Sequence, residues 1–168
     1  RNLQQYAVAA QPKRKHTPFR IVYAGLLGVA QDIYSIIENI PFQSIGAEFH
    51  LYGGGNQTEK IKEYINKHPG CFVYYHGYVK KEQIAEELSR YDASIVPLTV
   101  AIKGAVPSKI YDLIPIGIPI LFCGGGEGAE IVSKYYFGMV SKPHDFKQLH
   151  NNIIELINLP DEEYSTIS

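Results

Sequence analysis

Residues 106–128 read V-P-S-K-I-Y-D-L-I-P-I-G-I-P-I-L-F-C-G-G-G-E-G, and this run decides the fold class. It divides into a short helix opening at Pro107 and Ser108, a turn at Gly117, a buried strand, and a glycine-rich loop. Proline is tolerated in a first helical turn, where its missing N–H would have no intrahelical partner. Ser108 then stands near the N-cap, Lys109 in the first turn and Asp112 one turn further on. A helix start offers free N–H groups and the positive end of a dipole, which suits phosphate. Lys109 adds a point charge, and Asp112 can accept hydrogen bonds from sugar hydroxyls. Two readings fit the stretch: a nucleotide site, or an N-capped surface helix with a solvated Lys and Asp.

Outward from this run the chain alternates between two periods. Residues 20–24 are strand-like and end at Gly25, and an amphipathic helix follows over residues 31–40. Residues 48–52 form the next strand, closed by Gly53, Gly54 and Gly55; residues 58–68 place Ile61 and Ile65 on one helical face. Residues 71–75 are β-rich and run into His76, Gly77, Tyr78 and Val79. Residues 80–91 are helical with Ile84 and Leu88 inward, and residues 93–98 make an apolar strand. Beyond the opening run come a short strand at residues 138–140 and a helix at residues 145–159, with Phe146, Leu149, Ile153 and Leu156 at helical spacing.

Short strands alternating with helices imply βαβ units, and strands that are nearly continuous apolar runs imply helices on both faces of a parallel sheet. The expected fold is therefore α/β: a Rossmann-like, doubly wound parallel sheet of about six strands. Ligands of such sheets bind beyond the carboxyl ends of the strands. Here those ends carry Gly25, Gly53 to Gly55, His76 to Val79, residues 98–107 and Gly124 to Gly126. Glycine lets backbone approach a ligand closely, although βα turns also use it for their own geometry.

Composition sets the outer limits. The chain has 168 residues, enough for one domain with a proper core, and its 16 Lys and Arg nearly balance its 17 Asp and Glu. That balance gives no reason to expect nucleic acid as a partner. The longest apolar run, residues 113–123, is too short to span a bilayer and holds Pro115 and Pro119. Cys71 and Cys123 have neither disulfide-framework nor metal-ligand spacing and read as buried thiols at strand ends, so a cytoplasmic location is expected. Residues 1–17 show no periodicity, carry only basic charge, and read as a solvated linker or arm ahead of a domain at residues 18–168.

Several chemistries are excluded or disfavoured. No G-x-x-x-x-G-K-[ST] run exists, so P-loop hydrolysis is out. Gly124, Gly126 and Ala129 with Asp145 beyond approximate a dinucleotide fingerprint, but that fingerprint belongs on a first strand and these follow a late one. No nucleophile elbow is present, and the histidines fall at no metal-ligand spacing; His76, at a strand's carboxyl end, is the one kept in view. A receiver-like signalling domain would need acids at the end of the first strand, and Tyr23-Ala24-Gly25 has none.

The ordered series Y-A-G-L-L-G-V-A-Q, L-Y-G-G-G, Y-Y-H-G-Y-V, V-P-S-K-I-Y-D-L with G-I-P-I-L, and G-E-G-A-E-I-V resembles the C-terminal half of GT-B glycosyltransferases of the GT4 type. The P-S-K helix start is similar to the bacterial surface-polysaccharide and aminosugar transferases. The resemblance spans roughly residues 19–159. It implies a domain that binds a UDP- or GDP-sugar donor, with a glycan or lipid-linked acceptor held by a separate N-terminal half that this chain lacks. An acceptor of that kind implies a place at the inner membrane face for the complete enzyme.

Residue by residue, the resemblance implies that Asp112 holds the ribose and that Pro107, Ser108 and Lys109 form the helix start receiving the diphosphate. Tyr78 and Val79 match the loop that pairs with the base, and Gly53 and Gly54 match the glycine turn beside the nucleotide. Gly25 and Gly28 belong to the loop that carries an Arg and a Lys in many relatives. Here that loop offers Leu26, Leu27 and Val29, and Lys103, or Lys109 again, is the candidate replacement. The family's first acid would fall at Gly104. No acidic pair suited to Mg²⁺ between phosphates is evident, so neither a metal nor a cofactor is expected, and no catalytic residue is identifiable in this half. A noncatalytic nucleotide-sugar-binding or regulatory module on the same fold is the alternative.

Overall fold

The computed structural model describes residues 13–100 and 108–167. Six parallel strands form one sheet in the order β3-β2-β1-β4-β5-β6: β1 (Phe19–Leu26), β2 (Ala47–Gly54), β3 (Val73–Tyr75), β4 (Ala93–Pro97), β5 (Ile120–Cys123) and β6 (Gly138–Ser141). The order reverses between β1 and β4, which puts the switch point of this Rossmann-like sheet at the end of β1. The expected doubly wound fold is the one observed.

Both faces of the sheet are covered. On one, α1 (Ile33–Asn39), α3 (Thr58–Lys67), α7 (Phe146–Asn158) and α8 (Asp161–Thr166) close over Phe19, Ile21, Tyr23, Phe49, Leu51 and Ile95. On the other, α4 (Ile84–Leu88), α5 (Ser108–Leu113) and α6 (Gly126–Lys134) pack on Val22, Val96, Ile120 and Phe122. Successive strand residues face opposite ways, so strands covered on both sides must be apolar at nearly every position, as β4 and β5 are.

Several elements differ from expectation. A short helix, α2 (Phe42–Ile45), fills the α1–β2 connection and buries Phe42. The helix expected at residues 80–91 is a 3-10 turn, Lys81–Gln83, running into α4, which stops where the Ser89 hydroxyl donates to the Glu86 carbonyl at 2.6 Å. The glycine-rich segment after β5 runs into the start of α6, with Gly126 at φ 67° and Gly128 packed directly on the Phe122 ring. The closing helix is followed by α8, whose Tyr164 is fully buried.

The arm also differs. Residues 13–17, read as solvated, are bound to the amino edge of the sheet. The Lys13 ammonium donates to the Gly117 carbonyl at 3.0 Å, and Lys15 caps the end of α7 by donating to the carbonyls of Leu156, Ile157 and Leu159. The buried carboxylate of Asp92 accepts from the His16 N–H at 3.1 Å, His16 Nδ1 at 2.9 Å and the Arg20 N–H at 2.8 Å. The Tyr164 hydroxyl donates to the Asp92 carbonyl at 2.5 Å. One residue thus ties the arm, β1 and α8 together.

Candidate functional site

A cleft of about 840 Å³ opens at the carboxyl edge, beside the switch point. Its floor is backbone. In register, Gly25 of β1 faces Gly53 of β2, and the Gly53 N–H donates to the Gly77 carbonyl at 2.7 Å. Gly53 has φ 118°, and a Cβ there would overlap the Gly25 carbonyl; one at Gly54 would overlap the Tyr78 hydroxyl. Gly53 is required because a neighbouring backbone approaches where a side chain would stand, whereas at Gly54 the exposed Tyr78 ring could move aside.

The walls carry the polar groups. Lys109 and Asp112, one turn apart on α5, both line the cleft, with Tyr111 between them. Tyr78 and Val79 form the opposite lip, and the Tyr78 ring is 84 % exposed across the opening. Burial pushes the Lys109 ammonium below its ordinary pKa, and Asp112 opposes the shift. Among the described residues, neither Lys109 Nζ nor the Asp112 carboxylate makes a hydrogen bond or ion pair. A cation and a carboxylate left open beside bare backbone suit a ligand with both an anionic group and hydroxyls.

Of the residues named from sequence, Gly25, Gly53, Gly54, Tyr78, Val79, Lys109 and Asp112 meet in the cleft. Ser108 and Gly28 do not belong to its described lining. Ser108 is an exposed residue at the start of α5, and the Gly28 carbonyl is turned back to accept from the Asp32 N–H at 3.0 Å. Pro107, Lys103 and Gly104 lie outside the described residues. In the described part of α5, Ser108–Leu113, Lys109 is the one cationic side chain.

Sequence reading missed Leu26, Tyr52, Lys81 and Ile84, which also line the cleft. Leu26 is 58 % exposed and Val29 71 %, so the loop after β1 presents apolar side chains to solvent. Tyr52 is held by bonds to Glu87 Oε1 and the Tyr91 hydroxyl, each at 2.7 Å, and burial together with these partners raises its pKa. His76 lies just behind, stacked on Tyr52 at 4.8 Å and bonded to His50 at 2.7 Å. The signal available was alternation, which puts Tyr52 and, just past the end of β3, His76 on the same face of the sheet.

On the other side of the edge, the loop after β1 is locked. Asp32 at φ 48° accepts from Gln57, Ser35 and His144, itself at φ 57°. Burial pushes the Asp32 carboxyl up, but these hydrogen bonds outweigh it and bring its pKa down to about 2. A cavity of about 10 Å³ beside this lock is water-sized, and Ser141 Oγ is buried against it without a partner among the described residues.

An edge of glycines at the switch point, with a lysine and an acid one turn apart above it, defines a Rossmann-like domain with an open polar cleft at the carboxyl ends of its strands. The chain belongs to the group 1 glycosyl transferases, whose family profile matches residues 18–159.

Solved structures share the fold. HepE from Anabaena, in complex with UDP and glucose, is similar over 98 % of this chain and 44 % of its own, at 17 % identity and a TM-score of 0.74. TarM from S. aureus, in complex with UDP, fondaparinux and α-GlcNAc-glycerol, aligns over 95 % of this chain and 33 % of its own, at 19 % identity and 0.69. The catalytic domain of cholesterol-α-glucosyltransferase from Helicobacter pylori aligns over 89 % and 93 %, at 19 % and 0.67. The chain thus spans about a third of TarM and under half of HepE. No curated protein matches the chain significantly. Among the described residues no helix is long and apolar enough to cross a membrane, and no three His, Cys, Asp or Glu side chains group to hold a metal ion.

Proposed function

We propose that this domain binds the nucleotide-diphosphate sugar donor of a GT4-type glycosyltransferase, with UDP favoured over GDP. The observation that carries the reading is the placement of Lys109 and Asp112 one turn apart over the floor of Gly25, Gly53 and Gly54. On this reading the diphosphate lies at the end of β1 against Lys109, the ribose hydroxyls bond Asp112, and the base enters beneath Tyr78 and Val79. As the anomeric C–O bond breaks, negative charge grows on the leaving diphosphate. A fixed ammonium and backbone N–H groups aimed there stabilise it without a metal. A catalytic base, where the reaction needs one, belongs to an N-terminal half that binds a glycan or lipid-linked acceptor. The complete enzyme then serves surface-polysaccharide synthesis at the cytoplasmic membrane face. The presence of UDP in the HepE and TarM structures supports uridine over guanosine.

The exposed Leu26 and Val29, in a loop that by the family resemblance would carry an Arg and a Lys, favour a second reading as a noncatalytic nucleotide-sugar-binding module. Calorimetric titration of the chain with UDP, GDP and NAD tests the site. UDP is expected to bind weakly, and Asp112→Ala to lower its affinity about tenfold, the effect of losing one charge-assisted hydrogen bond. Binding of NAD alone, or indifference of UDP to Asp112→Ala, overturns the donor assignment.

A further inference from the structure

Lys109 does not hang freely in the cleft. Its side chain leaves α5 on one face of the sheet and crosses the end of β1 at Gly25. A Cβ on Gly25 would overlap the Lys109 ammonium and stand 3.2 Å from the Tyr23 hydroxyl. The missing side chain is therefore a notch, and the ammonium fills it. Beyond the notch lies the Tyr23 ring, its centroid 5.4 Å from Lys109 Nζ, within cation–π range. Tyr23 is fully buried in the core of the opposite face. Its hydroxyl donates to the Leu26 carbonyl at 2.6 Å, so its one hydrogen is committed to the end of β1, and the ring face is left to the cation.

We propose that Tyr23 is a positioning residue: its ring, reached through the notch at Gly25, seats the Lys109 ammonium at the end of β1, where the donor diphosphate arrives. The inference rests on the donor reading above and adds to it a residue that touches no substrate. It also accounts for a loop without basic residues. A lysine on a long, free side chain loses rotamer entropy when it grips a phosphate, and a seated one has lost it beforehand. Lys81, the other cation among the described residues of the lining, is exposed and has no such seat.

A buried tyrosine could matter for packing alone, so the test keeps its shape. In the full chain, Tyr23→Phe retains the ring and removes the hydroxyl, and a ring-fluorinated phenylalanine at the same position drains the negative charge of the ring face. Two readouts separate the roles: calorimetric affinity for UDP against uridine, and the NMR shift of the Lys109 ε-protons, which the ring current displaces. Tyr23→Phe is expected to keep UDP affinity within about twofold. Fluorination is expected to lower it a further three- to tenfold, roughly, with uridine unchanged. In a Lys109→Met background the same fluorination should have no effect, and Lys81→Met should leave the coupling intact.

Equal losses for UDP and uridine, or a fluorination effect that persists in Lys109→Met, make Tyr23 a packing residue and overturn the proposal. The two levels fail separately. UDP binding with Lys109 shifts indifferent to the ring sinks the seat alone. Ring-displaced Lys109 shifts without UDP binding sink the donor reading and leave the seat standing.

Discussion

The two edges of the sheet use polar groups in opposite ways. At the amino edge the Asp92 carboxylate takes three hydrogen bonds from His16 and Arg20, and its carbonyl takes a fourth from Tyr164. At the carboxyl edge Lys109 and Asp112 stand beside bare backbone with no hydrogen bond among the described residues. A buried polar group with every partner in place is a fastening, since each lost bond costs the desolvation of what remains. A charged group held in a cleft without partners is free to take them from a ligand. Most polar groups at the amino edge are spent on the fold, and those at the carboxyl edge are kept in reserve.

Substitutions at each edge sharpen this contrast. Gly53→Ala should be the most damaging. It combines a φ of 118° with overlap of the Gly25 carbonyl, so about 4 kcal/mol of stability is expected to go in urea unfolding, along with UDP binding. Retained UDP affinity in that variant would show that the floor yields more easily than its geometry allows. Asp92→Ala should cost about 3 kcal/mol by stranding two backbone N–H groups, lowering Tm by about 9 °C. The protein that stays folded should bind UDP as the wild type does, and a change in Kd would mean that the two edges are coupled.

The smallest effect lies between the edges, where Glu48 and His50 of β2 and His76, just beyond β3, form a chain. His50 Nε2–H donates to Glu48 at 3.1 Å, which leaves His50 Nδ1 to accept from His76 at 2.7 Å. Burial lowers both histidines below their ordinary pKa of 6.5; Glu48 opposes the shift at His50, and His50 adds to it at His76. The unfolded chain then binds more protons than the native one, so stability should fall as pH drops below about 6.5. Arg20, Tyr74, Tyr91 and Glu87 share this neighbourhood. Urea midpoints between pH 7.5 and 5.5 should slope for the wild type and flatten for His76→Gln; equal slopes would place the proton uptake elsewhere.

The alternation of short apolar strands with helices was enough to read the sheet, its helices on both faces and the edge where a ligand belongs. What it concealed was set by tertiary contacts. The α6 segment reads as a loop because its glycines look like turn residues, yet Gly128 is there to admit the Phe122 ring. The arm reads as solvated because Lys13, Lys15 and His16 are polar, yet their partners lie on Asp92 and on the ends of distant helices. The site was legible wherever glycine or a helix start marked it, as at Gly25, Gly53, Lys109 and Asp112. Tyr23 and Tyr52 carried no such mark: within a strand, a tyrosine serving a site and one filling a core look the same. Gly28 and Ser108 were expected beside the ligand by their place in a motif, and neither is part of the described lining of the cleft.

The row Gly25, Gly53, Gly77 also bears on how such a domain changes its preference. Adjacent strands bring glycines to this edge, and a side chain is resisted at each: by the Lys109 ammonium at Gly25, by the Gly25 carbonyl at Gly53, and by a φ of 78° at Gly77. Variation that the sheet tolerates is therefore expected at the rim, on Leu26, Tyr78, Lys81 and Tyr111. A library confined to those four positions would explore ligand preference while leaving the sheet's most constrained joint untouched.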